Sequence, residues 1–153
     1  MAEQLMISIG IGLGVSLLFS ELFGLTAGGL VVPGYFALFL TRPLDILLTL
    51  AAALITFTIV RLLSAVIIIY GRRRTVITIL IGYLAGIFLR ITLLDNLEFY
   101  FSDPVNLVGF IIPGLIAIWL ERQGVVETIT TLISASVVVR LILIITIRED
   151  LPV

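Results

Sequence analysis

Cysteine, histidine and lysine do not occur anywhere in this 153-residue chain. Without cysteine there are no disulfides and no thiolate chemistry. Without histidine there is no imidazole metal ligand, no metal site of that kind and no histidine acid–base catalyst. All nine basic residues are arginine, which excludes Schiff-base chemistry and a Walker-type phosphate loop, since that loop needs its lysine. The chain does not hydrolyse ATP alone. Charge is scarce as well, at 12% of residues against 61% hydrophobic, with a mean hydropathy of +1.32. No soluble domain of this size needs so much apolar surface, so the composition reads as an integral membrane protein. The net charge of −1 says little, because the charges sit in connections and at a few intramembrane positions; no nucleic-acid partner is expected. The opening Met1-Ala2-Glu3-Gln4 is acidic and lacks the positive region of a signal peptide, so the first apolar run is expected to stay as a membrane helix.

What is present is present twice. Gly29-Leu30-Val31-Val32-Pro33-Gly34-Tyr35-Phe36-Ala37-Leu38-Phe39-Leu40-Thr41-Arg42 returns without a gap, at an offset of 80, as Gly109-Phe110-Ile111-Ile112-Pro113-Gly114-Leu115-Ile116-Ala117-Ile118-Trp119-Leu120-Glu121-Arg122. Six of the fourteen positions are identical, and the others, apart from Thr41 against Glu121, exchange one apolar side chain for another. This reads as an internal duplication, with residues 1–74 and 75–153 as two membrane repeats of one domain. Val32 and Ile112 precede prolines and are expected to be extended, while Pro33 and Pro113 are preset for the first turn of a helix. The expected fold is therefore all-α: a polytopic membrane bundle of two repeats, each holding a Pro-Gly-broken or re-entrant helix. Such interruptions are tolerated where protein or a water-filled cavity surrounds the freed backbone groups, and in matching positions they point to a transport site.

In order, residues 5–19 form the first expected span, with Gly10 and Gly14 spaced for close helix packing within the bundle or between subunits. The duplicated stretch lies in residues 24–41, and residues 46–70 form a long helix interrupted by Arg61. Gly71-Arg72-Arg73-Arg74 closes the first repeat. The next helix, 75–94, carries Gly82 and Gly86 as the counterparts of Gly10 and Gly14, and it includes Arg90, which is expected to snorkel to the interface. An acidic, aromatic connection over 95–104 suits an interfacial belt. The second copy ends in Glu121-Arg122-Gln123-Gly124, and residues 126–147 span again with Arg140 inside.

The triple arginine Arg72, Arg73, Arg74 places its loop on the cytoplasmic side of a multi-pass cell-membrane protein, with the loop from Asp95 to Asp103 outside. Beyond topology, it is a candidate for docking anionic lipid or a partner. If each duplicated stretch dips and returns, the repeats are parallel and both termini are cytoplasmic. If each crosses, the repeats are inverted and both termini face out. The second is favoured, because about 17 apolar residues suffice to span and residues 24–40 supply them.

Arg61 and Arg140 lie in the last helix of each repeat at nearly matching places. An arginine near a helix centre costs about 2.5 to 3.5 kcal/mol, and such residues usually face a bundle interior. They are candidate ligands for a passing anion, against the plain reading in which both snorkel. A helix starting at Pro33 or Pro113 aims free amides and its positive dipole end inward, so Gly29, Pro33, Gly34, Gly109, Pro113 and Gly114 form a second candidate anion device. The plain reading of those prolines is a packed kink. Glu21, Asp45, Glu121 and Glu127 are most simply interfacial, and no catalytic carboxylate pair is evident.

Three blocks, Gly29-Leu30-Val31-Val32-Pro33-Gly34-Tyr35, Tyr70-Gly71-Arg72-Arg73, and residues 109–124 with their Ile111-Ile112-Pro113-Gly114-Leu115-Ile116-Ala117 core, resemble the PgsC/CapC family of capsule biosynthesis proteins. That family is the small membrane subunit of bacterial poly-gamma-glutamate synthesis. The resemblance runs from about Leu13 to Leu143. It implies a complex with a cytoplasmic, ATP-dependent amide ligase of the Mur-ligase type and a further membrane-anchored subunit, which together polymerise glutamate and move the chain outwards. ATP and Mg belong to the ligase, and this chain is expected to carry no cofactor and no catalytic residue. Its implied work is to anchor the ligase and help form an exit path for the polyanion. An autonomous small transporter or channel for an organic anion is the alternative, and a membrane acyltransferase ranks last for want of histidine or cysteine. One copy is small for a polymer conduit, so self-association or a path shared with partners is expected.

Overall fold

The computed structural model describes residues 2–97 and 111–146, and every regular element among them is an α-helix. In chain order these are α1 (Ala2–Phe23), α2 (Val32–Phe39), α3 (Pro43–Val66), α4 (Arg72–Leu97), α5 (Ile112–Gln123) and α6 (Val125–Thr146). Breakers set the boundaries. Gly24, at φ +66, closes α1 with its N–H donating to Ser20 O; Pro43 opens α3, and Gly124, at φ +103, separates α5 from α6. Inside the helices, Thr49, Thr56, Thr78, Thr131 and Ser136 each donate their hydroxyl to a backbone carbonyl one turn earlier. Polar side chains are thus satisfied locally and can sit in apolar contacts at little cost.

Four helical stretches, Glu3–Phe23, Pro43–Val66, Arg72–Thr92 and Val125–Thr146, are long and apolar enough to cross a bilayer. The protein is a multi-pass helical membrane protein. Its outward faces carry large apolar side chains, among them Met6, Leu17, Leu62, Leu84, Phe88 and Leu141, as lipid solvent requires. α2, with 8 residues, and α5, with 12, measure about 12 and 18 Å, well short of the roughly 30 Å hydrocarbon layer. They lie inside the bundle. Val32, Phe36, Ala53, Ile112, Ile116, Leu120 and Leu132 form one buried cluster, in which both short helices meet α3 and α6. Val15, Ala27, Ala37, Ala135, Val139 and Leu143 form a second between α1, α2 and α6.

The direction of each element follows from its neighbours. Gly29 O accepts from Ser16 Oγ at 3.2 Å, and Gly34 O accepts from Ser8 Oγ at 2.7 Å, so residues 29–34 run antiparallel to α1 and reach its beginning. α3 therefore starts at the end of the bundle where α1 starts. α5 likewise runs antiparallel to α4: Gly114 lies against Thr78 and Ile79, and Glu121 meets Arg74. The end of the bundle where α1 and α3 finish and α4 begins is called the basic end below.

Several expected boundaries shift. Arg72, Arg73 and Arg74 are not a loop but the first turn of α4, and Asp95 to Leu97 are its last residues. Val32 and Ile112 are not extended: each opens its helix, after αR caps Val31 and Ile111 at φ −92 and −86. The bend expected of the pre-proline residues is taken upstream in the first copy by Gly28 and Gly29, at φ +72 and +122, where only glycine enters without strain. The acidic residues Glu98 and Asp103 lie outside the described residues, as does Gly109.

Candidate functional site

Two backbone-to-backbone contacts hold the short helices in place. A Cβ on Gly12 would lie 2.7 Å from Gly34 Cα, and one on Gly82 would lie 2.6 Å from Gly114 Cα. From the other side, a Cβ on Gly34 would lie 2.8 Å from Ser8 O, and one on Gly114 would lie 2.7 Å from Ile79 Cα. Ser8 and Gly12 thus do on α1 what Thr78 and Gly82 do on α4. Gly10 and Gly14 do not pack within the bundle: a Cβ on either would meet nothing within 4 Å, and both face outward. Gly82 packs against Gly114, and Gly86 is buried. The spacing gave the pairs but not which glycine faces the partner helix. The signal that finds Gly12 is Ser8-Ile9 four residues before it, matching Thr78-Ile79 before Gly82.

The same geometry assigns Pro33, Gly34, Pro113 and Gly114 to close packing. All four are buried, and the amides after them, Tyr35 and Leu115, donate to Val31 O and Ile111 O. Gly29 approaches the indole nitrogen of Trp119, which lies 3.6 Å from the position of its missing Cβ.

At the basic end, Thr26 and Gln123 form a latch between the chain after α1 and the end of α5. Gln123 Oε1 accepts from Thr26 N at 3.0 Å and from Thr26 Oγ1 at 3.2 Å, and Gln123 Nε2 donates to Thr26 O. Beside it opens a cleft of about 450 Å³, lined by Phe57, Arg61, Arg74, Leu120, Glu121, Gly124 and Val125. Arg74 forms a two-point ion pair with Glu121, Nε to Oε2 at 3.0 Å and Nη2 to Oε1. Three arginines in the first turn of α4 oppose the helix dipole, and Glu121 offsets this for the innermost. Arg61 is exposed in the cleft, its guanidinium 5.8 Å from the centroid of the Phe57 ring, and none of the described carboxylates pairs with it.

Arg61 and Arg140 are not brought together. Each lies within about two turns of the end of its helix, and α3 and α6 run in opposite directions, so Arg61 is near the basic end and Arg140 near the other. Half-buried Arg140 points Nη1 at Ala37 O, 3.4 Å away, one turn past Gly34. Arg90 is exposed. Asp45, expected at the interface, is 2% exposed; its place in the first turn of α3 lets the helix dipole favour the carboxylate. Sequence reading missed Gly12, Ser8, the Thr26–Gln123 latch and the pairing of Glu121 with Arg74.

The packing is reciprocal. α2 packs on α1 and α6, and α5 packs on α4 and α3, so each short helix leans on one helix from its own side of the chain and one from the other. The family model described as Capsule biosynthesis CapC matches residues 11–129 of this chain. The chain belongs to that family. It is similar to the capsule biosynthesis protein CapC of Bacillus anthracis, 38% identical over 143 residues that cover 88% of this chain and 89% of the relative. It is also similar to the PGA biosynthesis protein CapC of Bacillus subtilis (strain 168), 36% identical over 140 residues covering 88% and 91%. No solved structure matches it. The Gly12–Gly34 and Gly82–Gly114 contacts, the latch and the arginine cleft of this CapC family member all fall within residues 11–129.

Proposed function

We propose that this chain is the membrane subunit of a complex that makes poly-gamma-glutamate and exports it, acting as anchor and part of the exit path rather than as the catalyst. The observation that carries this is its similarity, over nearly its whole length, to relatives whose names place them in capsule and PGA biosynthesis. The partner is a cytoplasmic Mur-ligase-type amide ligase, which holds ATP and Mg, together with a membrane-anchored accessory subunit. Arg72, Arg73 and Arg74 serve as its docking site and as a contact for anionic lipid. Residues 1–74 and 75–153 are two inverted copies of one unit. Arg72–Arg74 face the cytoplasm, the loop from Asp95 to Asp103 faces outside, and both termini are outside, in the cell membrane. The basic end supports this sidedness through the excess of arginine there. Copies self-associate or share the path with partner subunits.

Affinity purification from native membranes, with identification of what accompanies the protein, tests the reading. An ATP-dependent amide ligase is expected, and its absence from intact complexes overturns the proposal. Reciprocal packing of two short interior helices is also the geometry of an autonomous transporter. Uptake of glutamate or a related anion by vesicles holding this protein alone would favour that second reading.

A further inference from the structure

We infer that the cleft between Arg61 and the Arg74–Glu121 pair is the receiving site for a carboxylate of the growing anionic chain, and that Glu121 occupies Arg74 as an internal stand-in until that carboxylate displaces it. This rests on the function proposed above and names the substrate contact within it. The cleft lies at the basic end, where α3, α4, α5 and the start of α6 meet, and its volume of about 450 Å³ admits an amino-acid-sized group. Arg61 and Arg74 approach it from different helices. Arg74 already shows the two-point geometry a carboxylate takes on a guanidinium, with Glu121 supplying the oxygens. Such pairs are directional and charge-assisted.

Arg61 is the unsatisfied half of the site. An arginine placed in a membrane helix is costly unless it finds an anion or reaches water, and its stacking on Phe57 holds the guanidinium at the cleft rather than extended away from the bundle. Phe57, Leu120 and Val125 give the cleft apolar walls, which strengthen a charge pair formed between them. Glu127 folds over Gly124, one of the lining residues. Among the lining side chains, Arg61 and Arg74 against Glu121 leave the empty site with one positive charge in excess. An incoming carboxylate is accommodated by exchange, with Glu121 released towards solvent. Exchange also provides release, because the returning Glu121 competes the chain off.

The test uses the full chain in nanodiscs of neutral phosphatidylcholine, with a fluorescent gamma-linked glutamyl oligomer as probe and polarisation as readout. Wild type binds. Arg61→Gln weakens binding by about tenfold or more, the loss expected for one charge-assisted contact. Glu121→Gln, which removes the competitor and keeps the shape, tightens it by about three- to tenfold. Equal binding by wild type and both variants, all monodisperse and equally heat-stable, overturns the site. So does no binding to wild type, or retention of phosphatidylglycerol in its place, with the oligomer unable to compete. The ligase is not needed for this measurement. Oligomer binding without ligase co-purification would sink the complex and leave the site, and the reverse result would sink the site alone.

Discussion

Adding one methyl group to Gly12 should damage this protein, whereas adding it to Gly10 or Gly14, two residues away on either side, should not. In Gly12→Ala the new carbon would sit 2.7 Å from both Gly34 Cα and Gly34 N, backbone atoms that no rotamer change can move. Comfortable carbon contacts are about 3.5 Å or longer, so α2 must retreat by about 0.8 Å. Retreat stretches the 2.7 Å bond from Ser8 Oγ to Gly34 O and loosens the buried Val32 and Phe36. Overpacking of this kind costs about 1 to 3 kcal/mol, or roughly 2 to 10 °C in melting temperature for a chain of this length. Gly82→Ala, with 2.5 Å to Gly114 N, should behave the same way. Gly10→Ala and Gly14→Ala meet nothing within 4 Å and remove a poor helix former, so they should be neutral or slightly stabilising. The single tryptophan, Trp119, lies near the junction of the short elements and reports unfolding by its fluorescence in detergent. If Gly12→Ala and Gly10→Ala melt within a degree of one another, the close approach of α1 and α2 is wrong.

Gln123→Leu removes the latch to Thr26 and should cost about 1 to 3 kcal/mol, because Thr26 N and O lose partners in a half-buried place; a melting temperature equal to wild type would show the latch to be idle. The Arg74–Glu121 pair is 31% and 26% exposed on its two side chains, so its coupling energy should be only about 1 kcal/mol after solvent screening. The charge swap Arg74→Glu with Glu121→Arg should recover most of what either single change loses, and a double change no better than the sum of the singles would argue against the pairing. Because the chain has no cysteine, single cysteines at positions 4 and 73 give a clean topology assay. Gln4→Cys and Arg73→Cys should be labelled from opposite sides of the membrane, and labelling of both from one side would exclude a crossing between α1 and α3.

Much of the fold is legible in the residues because membrane solvent forces it. Long apolar runs give α1, α3, α4 and α6, and Pro33 and Pro113 mark the starts of α2 and α5, since proline loses nothing in a first turn. Helix ends were less legible: α1 continues past Ser20-Glu21 to Phe23, and α3 stops at Val66 rather than running on to Tyr70, as ends follow from local packing more than from polarity. The candidate site was half legible. Arg61 stands out because charge is rare in such a helix, but its cleft depends on Glu121 and Arg74, 47 residues apart, and no local pattern joins them. Thr26 and Gln123, 97 apart, leave no trace in sequence at all.

The two ends of the bundle share a backbone plan and differ in their side chains. One turn before Ser8 stands Gln4, and one turn before Thr78 stands Arg74. Seven residues past Gly34 stands Thr41, and seven past Gly114 stands Glu121. Where the basic end carries an ion pair, the opposite end therefore has two neutral residues at the corresponding positions, and there α2 has already stopped at Phe39. Arg61 and Arg140 complete the contrast, one in a cleft that Glu121 also lines and the other directing a guanidinium nitrogen at a carbonyl oxygen of α2. If the basic end receives the anionic chain as proposed, the pair Arg74 and Glu121 is the feature that sets it apart from the opposite end.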